Sequence, residues 1–346
     1  MAKKIKLSAK QPSRSHPTPA RVMQLLTAYQ ATEALKAAIE LDLFTAIDEG
    51  ARTAAQVAER RGASERGVRI LCDFLTIAGL LGKKAGRYAL APDAAAFLSR
   101  RSPAYLGSAA KFLASPELKA GFADLAEVVR RGERPDEGTV KAHNPVWVEF
   151  ARSMAPMMAP TARALAQVLK ETGKTAGLVL DIAAGHGLFG ISVAQADPEA
   201  RVIALDWPAV LAVAQENAGK AGVAERFQTL PGSAFEVDFG RRYDTVLLPN
   251  FLHHFDVPTN EALLRKVHAS LARGGRVAVV EFVPAADRVS PPAAASFSLV
   301  MLGSTPRGDA YTHAELDAML RRAGFRKSRL VPLAPTPQSA VLAERA

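Results

Sequence analysis

Apolar residues in the first part of the chain recur at three- and four-residue steps, the spacing that places side chains on one face of a helix. The pattern runs through residues 21–47, from Val22 to Phe44. Residues 53–60, a short Gly-Ala-Ser turn and residues 65–81 then predict helix, turn and helix. Residues 83–90 predict a turn and a strand. Together these elements predict a winged-helix-like domain over residues 20–105.

A different pattern begins further along the chain. Residues 106–172 predict connecting helices, interrupted by a polar loop at 132–138. From residue 173 onward, short apolar runs alternate with helical stretches, which is typical of a parallel sheet covered by helices on both faces. The predicted strands are 178–181, 201–206, 226–230, 243–249 and 276–283.

The end of the chain carries its own signals. We expect the helix between the last two of these strands to end at Gly274 and Gly275. Thr312 and Glu315 have the spacing of a capping box that begins another helix. Two final extended runs, 326–333 and 339–342, predict a hairpin at the sheet edge. The fold class is therefore α/β, with a doubly wound Rossmann-like domain over residues 173–346.

Composition adds a charge asymmetry to this picture. The formal net charge is +10, and residues 1–100 hold 16 Lys and Arg against 9 Asp and Glu. Residues 1–19 are basic and rich in Pro and Ser, which predicts a disordered tail without a signal peptide. No stretch is apolar enough to span a membrane. We expect a cytoplasmic protein, whose basic first domain makes nucleic-acid binding an alternative to test.

A glycine-rich turn follows the first strand of the predicted sheet. Asp181 stands in that strand, and Gly185, Gly187 and Gly190 follow it before the next helix. Glycines let a ligand approach the backbone closely, and ligands of open α/β sheets lie at the carboxyl ends of the strands. Asp206 ends the second strand, where a carboxylate can accept hydrogen bonds from ribose hydroxyls. The two features together predict an adenosine-containing ligand.

Two ligands fit that description, because the glycines also satisfy the dinucleotide pattern G-x-G-x-x-G. Asp181 could receive the methionine amino group of S-adenosylmethionine (SAM), whereas a dinucleotide site needs no acid there. The turn also lies past the middle of the chain, and the final hairpin would give the sheet an antiparallel end. We therefore expect SAM rather than NAD.

The ordered motifs resemble the class I SAM-dependent O-methyltransferases that carry an N-terminal winged-helix-like dimerisation domain. The motifs are Asp181-x-Ala183-x-Gly185-x-Gly187, Asp206-Trp207, Pro231 to Phe235, and Asn250 to His254. The resemblance covers residues 20–345 and includes acetylserotonin, caffeic acid and bacterial natural-product methyltransferases. It implies a homodimer in which the first domain mediates dimerisation and each subunit closes part of the other's acceptor pocket. Nucleic-acid binding is then not expected.

The resemblance also implies a cofactor site. Asp181 and Gly185 would hold the methionine end, Asp206 the ribose and Trp207 the adenine. Ser233, Ala234 and Phe235 would surround the adenine edge, and Ala183, Gly187 and Asn250 would complete the site. Many relatives have Asp where Ser233 stands and glycine where Ala183 or Ala184 stands. The product would be S-adenosylhomocysteine.

Catalytic roles follow by position from the same resemblance. His253 falls where the family's general base lies, and Glu281 where an acid orients that histidine. An imidazole suits the task because it can take up a hydroxyl proton near neutral pH. His254 is the rival base, and Asp309 lies beside the position of the family's second orienting acid.

The acceptor side is predicted from two apolar stretches. Trp147, Phe150 and Met154 precede the SAM domain, Phe297 and Met301 follow the fifth strand, and we add His254. Aromatic and methionine side chains make an adaptable wall for a flat apolar molecule. Ordinary helix core or a dimer interface would produce the same pattern. The histidines show no metal-ligand spacing, so no metal is expected.

Two other functions stay open at the level of sequence. A regulator could bind DNA through residues 65–81, where Arg66 and Arg69 lie early in the helix, with SAM as its effector. A SAM-dependent enzyme could instead act on carbon or nitrogen, because the acceptor pocket is not a readable code. The expected function is methyl transfer to a hydroxyl of a small, aromatic molecule.

Overall fold

The computed structural model of the protein describes residues 17–240 and 242–346. The chain forms two compact units, which divide between Ala95 and Ala96. Residues 1–16, most of the predicted tail, lie outside the described residues. The segment 106–172, predicted as connecting helices, belongs to the same unit as the sheet.

The N-terminal unit is mainly helical and includes a small antiparallel hairpin. Its elements are α1 (Ala20–Leu26), α2 (Ala28–Glu40), α3 (Leu43–Asp48), α4 (Ala54–Arg61), α5 (Glu65–Ile77), β1 (Leu81–Lys84), β2 (Arg87–Leu90) and α6 (Pro92–Phe97), which crosses the division. Thr53 and Gln56 form a capping box that begins α4. Gly62, at φ +62°, ends α4 ahead of α5. The winged-helix-like arrangement predicted from sequence is confirmed.

The first unit has a small core and an exposed apolar face. Leu43, Phe44, Leu75 and Tyr88 are almost fully buried. In contrast, α1 and the start of α2 expose more than half of each of five apolar side chains, namely Val22, Met23, Leu25, Leu26 and Tyr29. An apolar face of this kind marks an interaction surface.

The C-terminal unit contains the remaining helices and strands. The helices are α7 (Ala110–Leu113), α8 (Pro116–Ala120), α9 (Leu125–Arg131), α10 (Val146–Ser153), α11 (Ala155–Glu171), α12 (Leu188–Ala196), α13 (Pro208–Lys220), α14 (Val257–Ser270), α15 (Pro292–Ala295), α16 (Phe297–Ser304) and α17 (His313–Arg322). The strands are β3 (Leu178–Ile182), β4 (Arg201–Asp206), β5 (Phe227–Pro231), β6 (Tyr243–Pro249), β7 (Leu271–Glu281), β8 (Phe325–Pro332) and β9 (Ser339–Arg345).

These seven strands form one sheet in the order β5-β4-β3-β6-β7-β9-β8. The strands from β5 to β7 pair in parallel, whereas β9 is antiparallel to both β7 and β8. This confirms the doubly wound α/β class and the final hairpin. The predicted end of the helix before β7 was wrong: α14 ends at Ser270 instead of Gly274, because Leu271 already pairs with Tyr243 as part of β7.

Successive residues of the central strands point to opposite faces of the sheet, and each face is buried. Val179 and Leu247 pack in a cluster with α11 and α12, whereas Leu180 and Val246 pack in a second cluster with α14 and α17. Because both faces are covered, a ligand can reach the sheet only at its ends. Among the described residues, no helix combines the length and the apolar character that a bilayer crossing requires.

Candidate active site

Buried polar atoms without a hydrogen-bond partner concentrate at the carboxyl ends of β3 and β6. Within the described residues they include Oδ1 of Asp181, Nε2 of His186, Oδ1 of Asn250 and Nδ1 of His254. Strands β3 and β6 are adjacent, and the strand order reverses between them. Ligands of open α/β sheets bind at such a reversal, and native proteins rarely leave buried polar groups unpaired. The distribution therefore indicates a ligand site.

The glycine turn that follows β3 has the conformation and tightness that the sequence predicts. Gly185 and Gly187 have φ of +57° and +75°, in the left-handed region that favours glycine. A Cβ at Gly187 would lie 3.0 Å from Ala214, and a Cβ at Gly190 would lie 2.6 Å from Cγ1 of Val202. The glycines therefore allow both the turn and the close packing of α12 on the sheet.

Asp181 presents a buried carboxylate beside this turn. Its Oδ2 accepts a hydrogen bond of 2.9 Å from the Gly190 N–H, while Oδ1 has no partner among the described residues. Burial raises the pKa of Asp181 to about 7, and the nearby carboxylate of Asp206 adds to the effect. A cationic partner would stabilise the ionised form of this buried carboxylate. The site therefore fits the ammonium group of a methionine moiety.

Asp206 ends β4 and is held by the backbone. Its Oδ2 accepts from the Gly185 N–H at 2.8 Å, and its Oδ1 accepts from the Trp207 N–H at 2.7 Å. Burial raises the pKa of Asp206 to about 6. A carboxylate has about four acceptor positions, so each oxygen keeps room for one hydroxyl donor. This fits a ribose diol.

Two aromatic groups flank the predicted adenine position. The ring of Trp207 lies 4.2 Å from that of His143, which no sequence motif singles out. In the turn after β5, Phe235 is 40% exposed and contacts Phe255 edge to face. Lys266 donates to the carbonyls of Ala234 and Phe235, and Oγ of Ser233 accepts from the Phe235 N–H. These bonds fix the turn.

His253 and Glu281 form a buried pair at the ends of β6 and β7. Nδ1 of His253 lies 2.5 Å from Oε2 of Glu281, and both side chains are at least 95% buried. Oε1 of Glu281 accepts from the backbone N–H groups of Phe251 and His253. The edge of the Phe297 ring packs against the imidazole at 4.9 Å. Carboxylate, backbone and ring together fix the orientation of His253.

His254 lies beside this pair in a different environment. Its Nδ1 is buried and unpaired within the described residues, and its ring meets Trp147 edge to face at 5.2 Å. Burial, together with the neighbouring His253, lowers its pKa well below the usual value for histidine. His254 therefore resembles a neutral wall residue more than a base.

Most of the predicted acceptor residues lie on two helices, while Met154 directly follows α10 and His254 lies in the segment after β6. Trp147 and Phe150 of α10 pack together with Met154, and Phe150 stacks on His186 of the glycine turn. Asn250 lies near this group, because its Nδ2 is 4.0 Å from Sδ of Met158. On the other side, Phe297 of α16 contacts His253, and Met301 is buried one turn later. The acceptor wall therefore reaches both the cofactor turn and the histidine pair.

Asp309, considered as a second orienting acid, is engaged elsewhere. Its carboxylate pairs with Arg288 at 3.2 Å and accepts from the Ala310 N–H. The residue that approaches His253 is Gly308, where a Cβ would lie 2.2 Å from the His253 carbonyl oxygen. Over residues 17–240 and 242–346, no group of three or more His, Cys, Asp or Glu side chains is placed to hold a metal ion.

Comparison with known proteins adds an independent finding. Residues 140–326 match the model of the O-methyltransferase domain, and residues 23–100 match the O-methyltransferase dimerisation domain. The chain is 30% identical to the tetracenomycin polyketide synthesis 8-O-methyltransferase of Streptomyces glaucescens, over 89% of this chain and 91% of that protein. It is also 30% identical to the 3-hydroxy-5-methyl-1-naphthoate 3-O-methyltransferase of Streptomyces sahachiroi, over 94% of each.

A solved structure agrees with these relatives. The crystal structure of a proposed O-methyltransferase from Nostoc punctiforme is 50% identical and covers 95% of this chain and 100% of that one. The TM-score is 0.93. The similarity extends over both units of the chain, and with it over the residues of the candidate site.

Proposed function

We propose that this chain, which belongs to the O-methyltransferase family with an N-terminal dimerisation domain, methylates a hydroxyl of a small aromatic molecule with His253 as general base. Family membership establishes the reaction class, an O-methyltransferase that uses SAM and releases S-adenosylhomocysteine. The acceptor and the roles of individual residues are the proposal.

The residues around the glycine turn fit SAM. Oδ1 of Asp181 would receive the ammonium group, and Asp206 the ribose hydroxyls. Trp207 and the turn at 233–235 would contact the adenine. Ala183, Gly185 and Gly187 bring the backbone close, and Asn250 offers a side-chain oxygen that has no partner in the part of the chain that the structure describes. When bound, SAM supplies a methyl group that is electrophilic because it is attached to a sulfonium.

The observation that supports the base most strongly is the 2.5 Å contact between Nδ1 of His253 and Oε2 of Glu281. An ionised Glu281 keeps the imidazole proton on Nδ1 and leaves Nε2 as the acceptor for a hydroxyl proton. The carboxylate also stabilises the imidazolium that forms. Glu281 is thus an orienting residue and His253 the group that removes the proton.

The acceptor class follows from the wall chemistry. Trp147, Phe150 and Phe297 offer aromatic faces and edges, and Met154 and Met301 offer adaptable apolar surface. His254 adds a neutral polar group beside Trp147. The Streptomyces sahachiroi relative is named for a hydroxynaphthoate, which is an acceptor of this chemical type.

We extend the proposal to assembly. The match to a dimerisation domain and the exposed apolar face of α1 and α2 support a homodimer formed through the N-terminal unit.

The test is an acceptor panel of phenols, flavonoids and quinols, with anilines and indoles to sample nitrogen and carbon. The protein is incubated with methyl-labelled SAM, products are assigned by mass spectrometry and NMR, and the Asp206→Ala variant is the negative control. We expect methyl ethers as products, with one molecule of S-adenosylhomocysteine released for each methyl group transferred. Methylation confined to nitrogen or carbon would contradict the assignment.

A further inference from the structure

The carboxyl end of α16 is capped by a segment more than 160 residues earlier in the chain. The carbonyl oxygen of Gly303 accepts from Nη1 of Arg134 at 2.5 Å, and that of Ser304 accepts from Oγ1 of Thr139 at 3.0 Å. The last carbonyls of a helix have no partner within the helix. Residues 132–140 supply these partners, and we call this segment the cap loop.

The cap loop is itself closely fitted. Asp136 binds the Arg134 guanidinium through both oxygens, at 2.8 and 2.9 Å, which fixes the direction of that cation. The backbone N–H of Arg134 donates to the backbone carbonyl oxygen of Pro306 at 3.3 Å. A Cβ at Gly138 would lie only 2.2 Å from the Ser304 oxygen. The loop therefore holds α16 in one position.

Thr139 also contacts the opposite side of the acceptor region. Its backbone carbonyl accepts from Nε1 of Trp147 at 2.9 Å, and the residue is 7% exposed. Trp147 in turn packs against His254, while α16 places Phe297 against His253. Thr139 is thus hydrogen-bonded to both walls of the acceptor region: to Trp147, which packs against His254, and to α16, which carries Phe297 against His253.

We propose that Thr139 is a specificity-determining residue that fixes the distance between Trp147 and α16, and so the width of the acceptor pocket. It acts through those walls as a positioning residue, and Arg134 holds it in place. The inference rests on the proposed function, which places the acceptor between these walls.

The principal test is Thr139→Val, which keeps the side-chain shape but removes the hydroxyl. The Ser304 carbonyl then loses its donor, while the bond from Trp147 to the backbone persists. We expect the KM for a flat acceptor to rise about 5- to 10-fold with kcat changed less than about two-fold. The ratio of kcat/KM for bulky to flat acceptors should rise. SAM affinity should not change.

Thr139→Ser keeps a hydroxyl and should restore the kinetic pattern. Arg130→Gln is the matched control, because Arg130 lies on the neighbouring helix α9 and is 71% exposed; it should behave as the parent protein does. If Thr139→Val does not fold, Arg134→Lys takes its place with the same expected rise in KM, since lysine cannot reproduce the two-pronged contact.

A second readout is independent of turnover. The chain has two tryptophans, so the emission of Trp147 can be isolated in a Trp207→Phe background. We expect Thr139→Val to increase quenching of this emission by acrylamide, because the wall that holds the ring loosens. Thr139→Ser should not.

The two hypotheses fail in different ways. A parent protein that methylates no hydroxyl acceptor refutes the proposed function, and Trp147 emission still reports whether Thr139 holds the wall. A parent protein that methylates hydroxyls, together with unchanged acceptor selectivity and unchanged emission in Thr139→Val, overturns the role of Thr139.

Discussion

Two adjacent histidines illustrate how partners determine the chemistry of a side chain. His253 has a carboxylate at 2.5 Å, whereas His254 has an indole ring and a buried Nδ1 that no described residue pairs with. A carboxylate fixes the orientation and the tautomer of the first. Burial and the neighbouring imidazole disfavour protonation of the second. From sequence, His253 was placed ahead of His254 only through the family resemblance.

His253→Gln should leave SAM affinity nearly unchanged while it lowers the transfer rate by about 10²- to 10⁴-fold, the usual contribution of a positioned base. Glutamine fills a similar volume but cannot take up the proton. Calorimetry with SAM and single-turnover methyl transfer measure the two effects separately. Glu281→Gln should lower the transfer rate less, because it weakens the orientation of His253 but leaves that base in place.

His254→Gln is the control, and we expect it to change acceptor KM more than kcat, since the ring contacts the Trp147 wall. Loss of turnover in His254→Gln with retention in His253→Gln would reverse the assignment. Full activity in both variants would indicate catalysis by proximity alone.

The raised pKa of Asp181 predicts a pH-dependent stability of the ligand-free protein. Its folded-state pKa, about 7, exceeds the unfolded value near 4, so the folded protein binds more protons between these pH values. The free energy of unfolding should therefore fall as pH rises from about 4 to about 7 and then level off. Asp206, whose pKa is raised to about 6, contributes in the same direction.

The cationic end of SAM should offset the destabilisation that ionised Asp181 causes in the ligand-free protein. The increase in Tm on adding SAM should therefore be larger at pH 8 than at pH 5.5. Differential scanning fluorimetry at both pH values measures it. In Asp181→Asn the difference between the two pH values should shrink. An equal increase in Tm at both pH values for the parent protein would argue against an ammonium partner for Asp181.

The sequence predicted that the proposed cofactor residues meet at one edge of the sheet, but it did not predict the backbone strain there. Asp181 lies near the end of β3, Gly185 in the turn after it and Asp206 at the end of β4, so their meeting at one edge follows from the geometry of a parallel sheet. Ala183 has φ of +54°. This left-handed conformation raises the free energy of a residue with a Cβ by about 1–2 kcal/mol. The sequence does not show that Ala183 is the residue that adopts it.

At the scale of elements, the contact of α12 with the sheet depends on one glycine. A Cβ at Gly190 would lie 2.6 Å from Val202 and 3.0 Å from Oδ2 of Asp181. Gly190→Ala should therefore destabilise the protein by about 1–3 kcal/mol, as overpacking of a core does, and weaken SAM binding by displacing Asp181. Denaturant unfolding and calorimetry check both effects.

Gly219→Ala is the matched control. Gly219 lies in the last turn of α13, and a Cβ there meets no atom of residues 17–240 or 242–346 within 4 Å. Alanine is the better helix former, so this variant should be neutral or more stable by up to about 1 kcal/mol. Equal destabilisation by the two substitutions would show that packing at Gly190 is not the cause.

Strands were predicted better than loops, for a physical reason. Residues buried on both faces form continuous apolar runs, which local sequence displays, and β4 and β6 have the predicted bounds. The predicted end of α14 was wrong because the pairing of Leu271 with Tyr243 is a tertiary contact, which local sequence does not display. The cap loop was identified only as polar, since its bonds to α16 join residues far apart in sequence.

At the scale of the whole molecule, the two units differ in how they bury apolar surface. The sheet unit covers both of its faces with its own helices, whereas α1 and the start of α2 leave five large apolar side chains more than half exposed. A domain that exposes such a face gains stability when a second copy covers it. The match to a dimerisation domain covers the same residues from 23 onward.

The parent protein should therefore have a molar mass near twice the 36.8 kDa of one chain, measured by sedimentation or light scattering. Introducing Leu25→Glu together with Leu26→Glu places two charges on the exposed face, where the side chains are 71% and 66% exposed, and should shift the mass toward one chain. Val129→Glu on α9, 60% exposed, is the control and should leave the mass unchanged. If each subunit also completes its partner's acceptor pocket, methyl transfer should fall together with the dimer, and raising the protein concentration should restore both. A fully active single chain would show instead that each subunit works alone.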